Sequence, residues 1–150
     1  MSNQTVGRPI HLLLVEDDKG DAELMTEVMK DTKIRVALNR VEDGEEAMKY
    51  LRKEGEYADA VRPDLILLDL NMPKKDGREV LNAIKNDEDL KVIPVVVLTT
   101  SDADEDILKT YALGASCYVK KPLGLEQFSK LVESIEHFWF TVVTYPPKEG

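Results

Sequence analysis

The chain has 150 residues, of which 43% are hydrophobic and 33% are charged, and its formal net charge is −9. This length suits one globular domain with a sizeable core, and no apolar stretch is long enough to cross a membrane. The acidic balance argues against nucleic acid and anionic membrane surfaces as partners, and the single cysteine excludes an internal disulfide and fits a cytoplasmic location.

The first part of the chain predicts two strand–helix units. Ile10–Val15 is an uninterrupted apolar run, which indicates a buried strand, and an acidic stretch follows it. Residues 19–31 place apolar side chains at helical spacing, so we expect an amphipathic helix. A β-rich stretch at 34–41 predicts the second strand. The helix that follows is predicted to begin at Gly44 and to end at Gly55.

The rest of the chain repeats this pattern three times. Residues 65–68 are all aliphatic, which is typical of a strand buried on both faces of a parallel sheet. Two more strands are predicted at 93–98 and 116–119, and the three helices that follow these strands cover 77–87, 104–113 and 125–140. Five alternating units predict an α/β fold with a doubly wound, five-stranded parallel sheet, since a barrel would need about eight.

Chemically capable side chains follow four of these strands. Glu16 and Asp17 follow the first strand, Asp69 the third, Thr99 the fourth and Lys121 the fifth. In the strand order 2-1-3-4-5, the acids meet in the crevice between strands 1 and 3, where open sheets bind ligands. Clustered carboxylates repel one another unless a cation joins them, and oxygen ligands favour Mg²⁺ or another hard divalent cation. Thr99 and Lys121 are placed to bind a phosphoryl group on Asp69, which would act as a nucleophile.

Each of these residues also has a purely structural interpretation. The acids after the first strand are compatible with an ordinary acidic helix N-terminus, and Asp69 or Thr99 with a helix cap. Lys121 by itself is compatible with a solvated surface lysine. The coincidence of all of them at one edge of the sheet favours the functional interpretation.

Four sequence blocks identify a resemblance. The chain contains LLVEDD at 13–18, DLNMP at 69–73 with DG at 76–77, LTT at 98–100 and YVKKP at 118–122. These blocks occur in the order and spacing of the receiver domain of two-component response regulators, which the chain resembles over about 10–140. The resemblance implies the flavodoxin-like receiver fold, with the strand order 2-1-3-4-5.

The resemblance also implies a role for each matching residue. Asp69 is the expected phosphoacceptor, and Thr99, Tyr118 and Lys121 are the expected switch and phosphate-binding residues. The expected metal ligands are Glu16, Asp17, Asp69 and the backbone carbonyl of Asn71. Asp18 does not occupy a ligand position of the family, although it is acidic.

A closer resemblance is to the small phytochrome-associated response regulators of bacteria. It is carried by NMPKKDGREVL at 71–81, GEY at 55–57 and FWF at 138–140. It implies that a sensor histidine kinase of the phytochrome type phosphorylates Asp69. Phosphorylation is then expected to change the interaction surface of a stand-alone receiver. The expected domain organisation is a single receiver over 1–150, with a core at 10–140, an extension at 141–150 and no output domain.

Aromatic residues are concentrated near the C-terminus. All three phenylalanines and the single tryptophan lie between 128 and 140. Helical spacing places Phe138 at the margin of the core-facing stripe and Phe140 away from it. Together with Val142 and Tyr145, they predict a homodimer interface on the last helix and the tail. The alternative is a tail that folds back over its own core.

Two other functions compete with the receiver interpretation. One is a phosphorylation-silent scaffold or dimerisation module, which the complete set of site residues argues against. The other is a haloacid dehalogenase-type phosphatase with an aspartate nucleophile. Such enzymes have a second Asp two residues after the nucleophile, where this chain has Asn71. We therefore expect phosphotransfer to the chain itself and autodephosphorylation, without turnover of a separate substrate.

Overall fold

The computed structural model describes residues 9–30, 36–70, 77–99, 114–115 and 117–120; for Val28, Thr99 and residues 117–120 only the main chain is described. Five strands lie in these ranges: β1 (Ile10–Val15), β2 (Val36–Val41), β3 (Leu65–Asp69), β4 (Val95–Thr99) and β5 (Cys117–Lys120). They form one parallel sheet in the order β2-β1-β3-β4-β5. The predicted doubly wound topology is therefore confirmed.

Three helices are described: α1 (Lys19–Lys30), α2 (Gly44–Leu51) and α3 (Gly77–Lys85). None of these helices is both long enough and apolar enough to cross a membrane. The helices predicted at 104–113 and 125–140 lie outside the described residues.

The central strands are buried on both faces, as their apolar runs predict. The neighbours Leu13 and Leu14 in β1 are both fully buried, yet they belong to different clusters. Leu13 packs with side chains of α2 and α3, whereas Leu14 packs with side chains of α1 such as Met25. Met25 is buried and Leu24 is only partly buried, so Met25 belongs to the buried face of α1. Helices therefore cover both faces of the sheet, and each large aliphatic side chain buried between the layers contributes about 1.5–3 kcal/mol.

The connection between α3 and β4 differs from the prediction. α3 ends at Lys85, because the Asp87 carboxylate accepts the N–H of Leu90 (3.1 Å) and starts a new turn. This bond, with a second from the neighbouring main chain, lowers the pKa of Asp87 below its usual value. The N–H of Ile93 closes the turn by donating to the carbonyl of Leu90 (3.0 Å), and Pro94 has no N–H to donate. For these reasons β4 begins two residues later than predicted; β5 is also displaced by one residue.

The end of α2 is a second correction. The helix ends at Leu51 rather than at Gly55. The N–H of Glu54 donates to the carbonyl of Lys49 (2.9 Å), the long bond that closes a Schellman C-cap. The residue in the left-handed conformation is Lys53, with φ of 57°, a position that glycine usually occupies. Gly55 instead begins the next element. The prediction that α2 ends at Gly55 was therefore wrong, because Lys53 takes the position that glycine usually occupies.

The GEY stretch forms a short 3₁₀ helix at Gly55–Tyr57 that is tied back to α2. The Tyr57 hydroxyl donates to a carboxylate oxygen of Glu46 at 2.6 Å. This hydrogen bond, together with partial burial, raises the pKa of Tyr57 well above its usual value. The Tyr57 ring also contacts the ring of Tyr50, with centroids 5.4 Å apart. These contacts give the motif a structural role in holding the loop after α2.

Candidate functional site

Three carboxylates converge where β1 and β3 end. Val15 pairs with Leu68 across the two strands, so the residues that follow them lie side by side. One carboxylate oxygen from each of Glu16, Asp17 and Asp69 lies within 4.8 Å of the other two. Glu16 and Asp69 are 1% and 3% exposed, whereas Asp17 is exposed. The structure therefore brings together the three acidic side chains that the sequence singles out, with Asp17 on the side open to solvent.

The Glu16 side chain is held by the first residues of the loop after β1. The main-chain N–H of Glu16 donates to the carbonyl of Val41 (3.1 Å), which continues the β1–β2 pairing by one residue. Its carboxylate oxygen Oε2 accepts the N–H of Asp18 (3.1 Å). A buried carboxylate with such a partner is positioned before any ligand arrives.

Asp18 has a different role from its two acidic neighbours. Its Oδ1 atom accepts the N–H of Asp21 (2.9 Å), and its carbonyl accepts the N–H of Ala22 (3.0 Å). Asp18 is therefore the N-cap residue of α1. The structural interpretation of the acidic stretch is thus correct for Asp18, while Glu16 and Asp17 lie in the carboxylate cluster.

The main chain of Asp69 is contacted directly by the start of α3. A Cβ atom built on Gly77 would lie 2.4 Å from the carbonyl oxygen of Asp69 and 2.5 Å from the Cα atom of Leu70. The Gly77 N–H donates to the carbonyl of Leu70 (3.1 Å). From the sequence, Gly77 was expected to begin a helix and to complete the Asp-Gly pair of the resemblance. The Asp-Gly pair indicates a turn, but it does not indicate that the glycine contacts the strand that carries Asp69.

The donor set of the cluster fits a hard divalent cation. Two oxygens that share one Mg²⁺ at about 2.1 Å lie at most about 4.2 Å apart. The oxygens of the cluster lie within 4.8 Å of one another, so small side-chain rotations suffice to bring them to one ion. A cation there would also offset the mutual repulsion of the carboxylates.

The remaining predicted site residues are described partly or not at all. Thr99 is the last residue of β4, and Asp69 pairs with the residue before it, so the main chain of Thr99 ends at the same edge of the sheet. The main chain of Tyr118 lies in β5, opposite Val97. The other predicted residues lie outside the described residues: Asn71, Lys121, Phe138, Phe140, Val142 and Tyr145.

Comparison with known proteins gives consistent results. The family model of the response regulator receiver domain matches residues 12–133. The chain is 51% identical over 138 residues to response regulator Rcp1 of Synechocystis sp., covering 92% of this chain and 94% of Rcp1. The crystal structure of the phosphorylated cyanobacterial phytochrome response regulator RcpA is 49% identical, with a TM-score of 0.83 over 95% of this chain and 100% of that one. The Mn²⁺-bound form of Rcp1 gives 50% identity and a TM-score of 0.82 over 93% of this chain and 100% of that one.

Proposed function

The chain belongs to the response regulator receiver domain family, and on that basis we propose that Asp69 accepts a phosphoryl group from a sensor histidine kinase. The observation that supports this role most directly is the convergence of Glu16 and Asp17 on Asp69. Receiver domains bind a divalent metal, and these three residues with the Asn71 carbonyl are the proposed ligands. Membership of the family implies a histidine kinase partner, and family members are generally not enzymes with a separate substrate.

The proposed reaction is a transfer between two side chains. A carboxylate oxygen of Asp69 attacks the phosphorus of a kinase phosphohistidine, forming the P–O bond of an acyl phosphate as the P–N bond breaks. The electrons of the P–N bond stay with the imidazole, which leaves and takes up a proton. The proposed ion is Mg²⁺, which supplies charge neutralisation for the phosphoryl oxygens. Thr99 and Lys121 are proposed to bind those oxygens after transfer.

The output is proposed to be a shift between two conformations. New contacts of the phosphoryl group with Thr99 would favour one state, and Tyr118 would follow as the switch aromatic. The interaction surface would change as a result, without turnover of a separate substrate. The chain is related to phytochrome-associated regulators, which supports a phytochrome-type kinase as the donor. A cytoplasmic location is proposed from the single cysteine, and the absence of a nucleic-acid partner from the charge of −9.

Intact mass spectrometry after incubation with Mg²⁺ and acetyl phosphate tests the proposed phosphoacceptor. Wild-type protein is expected to gain one phosphoryl group, and Asp69→Asn is expected to gain none. Asp59→Asn is the matched control, because Asp59 is an exposed loop carboxylate and its replacement makes the same change in charge. Phosphate on Asp69→Asn would contradict the assignment. A wild type that takes up none from acetyl phosphate or from a phytochrome kinase would favour the phosphorylation-silent scaffold.

A homodimer is the proposed assembly. It is supported by the concentration of aromatic residues between 128 and 140, with Phe138, Phe140, Val142 and Tyr145 as the proposed interface. The full chain is expected to have the mass of a dimer in light scattering, and deletion of residues 141–150 is expected to shift it toward the monomer. A shortened chain that dimerises with unchanged affinity would remove the tail from the interface. Comparing phosphorylated and unphosphorylated protein would show whether phosphorylation changes the association.

A further inference from the structure

Arg40 connects the end of β2 to the loop that carries the two acidic residues. It pairs with Leu14 in the β1–β2 register, so its strand ends beside the start of that loop. Its Nε atom donates to the main-chain carbonyl of Glu16 at 2.9 Å, and its Nη2 atom donates to the main-chain carbonyl of Asp17 at 3.3 Å. A single half-buried guanidinium therefore holds two consecutive carbonyl groups.

The shape of the guanidinium is suited to this contact. Its N–H donors lie in one rigid plane, so two adjacent acceptors are held at a set separation and orientation. Lysine carries a similar charge on a flexible stem, and one ammonium group cannot reproduce this planar fork. Val41, the next residue of β2, accepts the N–H of Glu16. The end of β2 thus holds the main chain of both acids.

Holding this loop matters because the three carboxylates repel one another. Before a cation binds, repulsion from buried Asp69 favours movement of Glu16 and Asp17 away from the crevice. Hydrogen bonds from Arg40 to their main chain oppose that movement without occupying the carboxylate oxygens. The main chain of both acids is therefore held where their carboxylates lie close to Asp69.

We infer that Arg40 is a positioning residue that keeps the two acidic ligands facing Asp69 before the metal binds. The inference rests on the proposed metal role of Glu16 and Asp17. Arg40 acts through the main chain of Glu16 and Asp17. In metal sites generally, residues that do not touch the ion orient the ligands that do. Nothing in the sequence signals this role, because Arg40 and Glu16 are 24 residues apart and Arg40 lies in a predicted strand with no motif.

The test is Mn²⁺ binding to the full chain, measured from the electron paramagnetic resonance signal of the free ion. Arg40→Lys and Arg40→Gln are both expected to weaken Mn²⁺ binding by about tenfold. Arg62→Gln is the control, since Arg62 likewise makes two hydrogen bonds, to the carboxylate and the carbonyl of Asp89. These two residues precede β3 and β4, at the other end of the strands from the carboxylates. Arg62→Gln is expected to bind Mn²⁺ like the wild type.

A second measurement separates positioning from folding. Metal-free unfolding temperatures show whether each variant is folded, and the Arg40→Lys variant decides the question if Arg40→Gln does not fold. At low Mg²⁺, Arg40→Lys is expected to be phosphorylated by acetyl phosphate more slowly than the wild type. At saturating Mg²⁺ its rate is expected to recover. This pattern indicates weaker metal binding by an otherwise intact site.

Wild-type affinity in Arg40→Lys would overturn the inference, because charge without the fork would then be sufficient. An equal loss in Arg62→Gln would also overturn it, because the effect would then be general to the fold. If the wild type binds no Mn²⁺, the proposed metal site is wrong and the inference falls with it. Failure of the inference alone is therefore distinguishable from failure of the proposed function.

Discussion

Asp17→Asn is expected to weaken Mn²⁺ binding by about tenfold or more, whereas Asp18→Asn, one residue further along, is expected to leave it unchanged. The reason is that an Asp17 carboxylate oxygen lies within 4.8 Å of those of Glu16 and Asp69, while Asp18 caps α1 through the N–H of Asp21. Both aspartates are exposed, and both substitutions remove one negative charge with almost no change in shape. The pair therefore separates coordination from net charge.

Titration of each variant with Mn²⁺ at constant ionic strength gives the two dissociation constants. Asparagine remains a good N-cap, so Asp18→Asn should keep its unfolding free energy close to that of the wild type. Phosphorylation by acetyl phosphate at limiting Mg²⁺ is expected to follow the same order as the affinities. Equal losses in both variants would show that the acidic stretch acts through its overall charge and would contradict the assignment of Asp17 as a ligand.

Gly77→Ala is expected to lower the free energy of unfolding by about 3 kcal/mol. The added Cβ would lie 2.4 Å and 2.5 Å from main-chain atoms of Asp69 and Leu70, so the strand or the helix has to shift. The usual effect of this substitution in a helix has the opposite sign, because alanine is favoured over glycine by about 0.8–1 kcal/mol. The expected loss therefore reports the close approach of α3 to the strand that carries Asp69.

Gly20→Ala is the matched control for this prediction. Gly20 lies in the first turn of α1 and is exposed, and its added Cβ would meet the Oδ1 atom of Asp18 at 3.3 Å, at the end of a flexible side chain. The Asp18 oxygen also caps α1 and has to shift slightly, which offsets part of the helical preference for alanine, so the unfolding free energy is expected to change by less than about 1 kcal/mol. Urea denaturation of the two variants measures both values. Gly77→Ala with wild-type stability would show that the strand yields at little cost.

A second consequence of Gly77→Ala concerns the metal. Because the clash falls on the main chain of Asp69, the variant is expected to bind Mn²⁺ more weakly than Gly20→Ala even where both are folded. Stability and affinity would then fall together, since one contact positions the strand end and the carboxylate that it carries. Unchanged affinity in a destabilised Gly77→Ala would place the required shift in α3 rather than in β3.

Local sequence pattern was sufficient for the framework of this protein. The aliphatic run of β3 is buried on both faces because α1 packs on one side of this strand and α2 and α3 pack on the other. A polar residue at the end of such a run must lie at the sheet edge, which is why Asp69 could be located from sequence. The spacing of the matching blocks then led to the strand order that the structure confirms.

Contacts between distant segments decided the rest. The resemblance pointed to Asp17 rather than Asp18 as a ligand, but the physical reason, that Asp18 caps α1 while Asp17 lies beside Asp69, is visible only in the structure. The contacts of Arg40 with Glu16, and of Gly77 with the strand carrying Asp69, join segments that meet only when the sheet and its helices pack. The period of the apolar residues predicts which side chains are buried, because one face of a helix or strand packs on the core. It does not predict which other segment a buried residue contacts. The sequence by itself therefore determined the fold and the acids of the site, while tertiary packing decided what holds those acids in place.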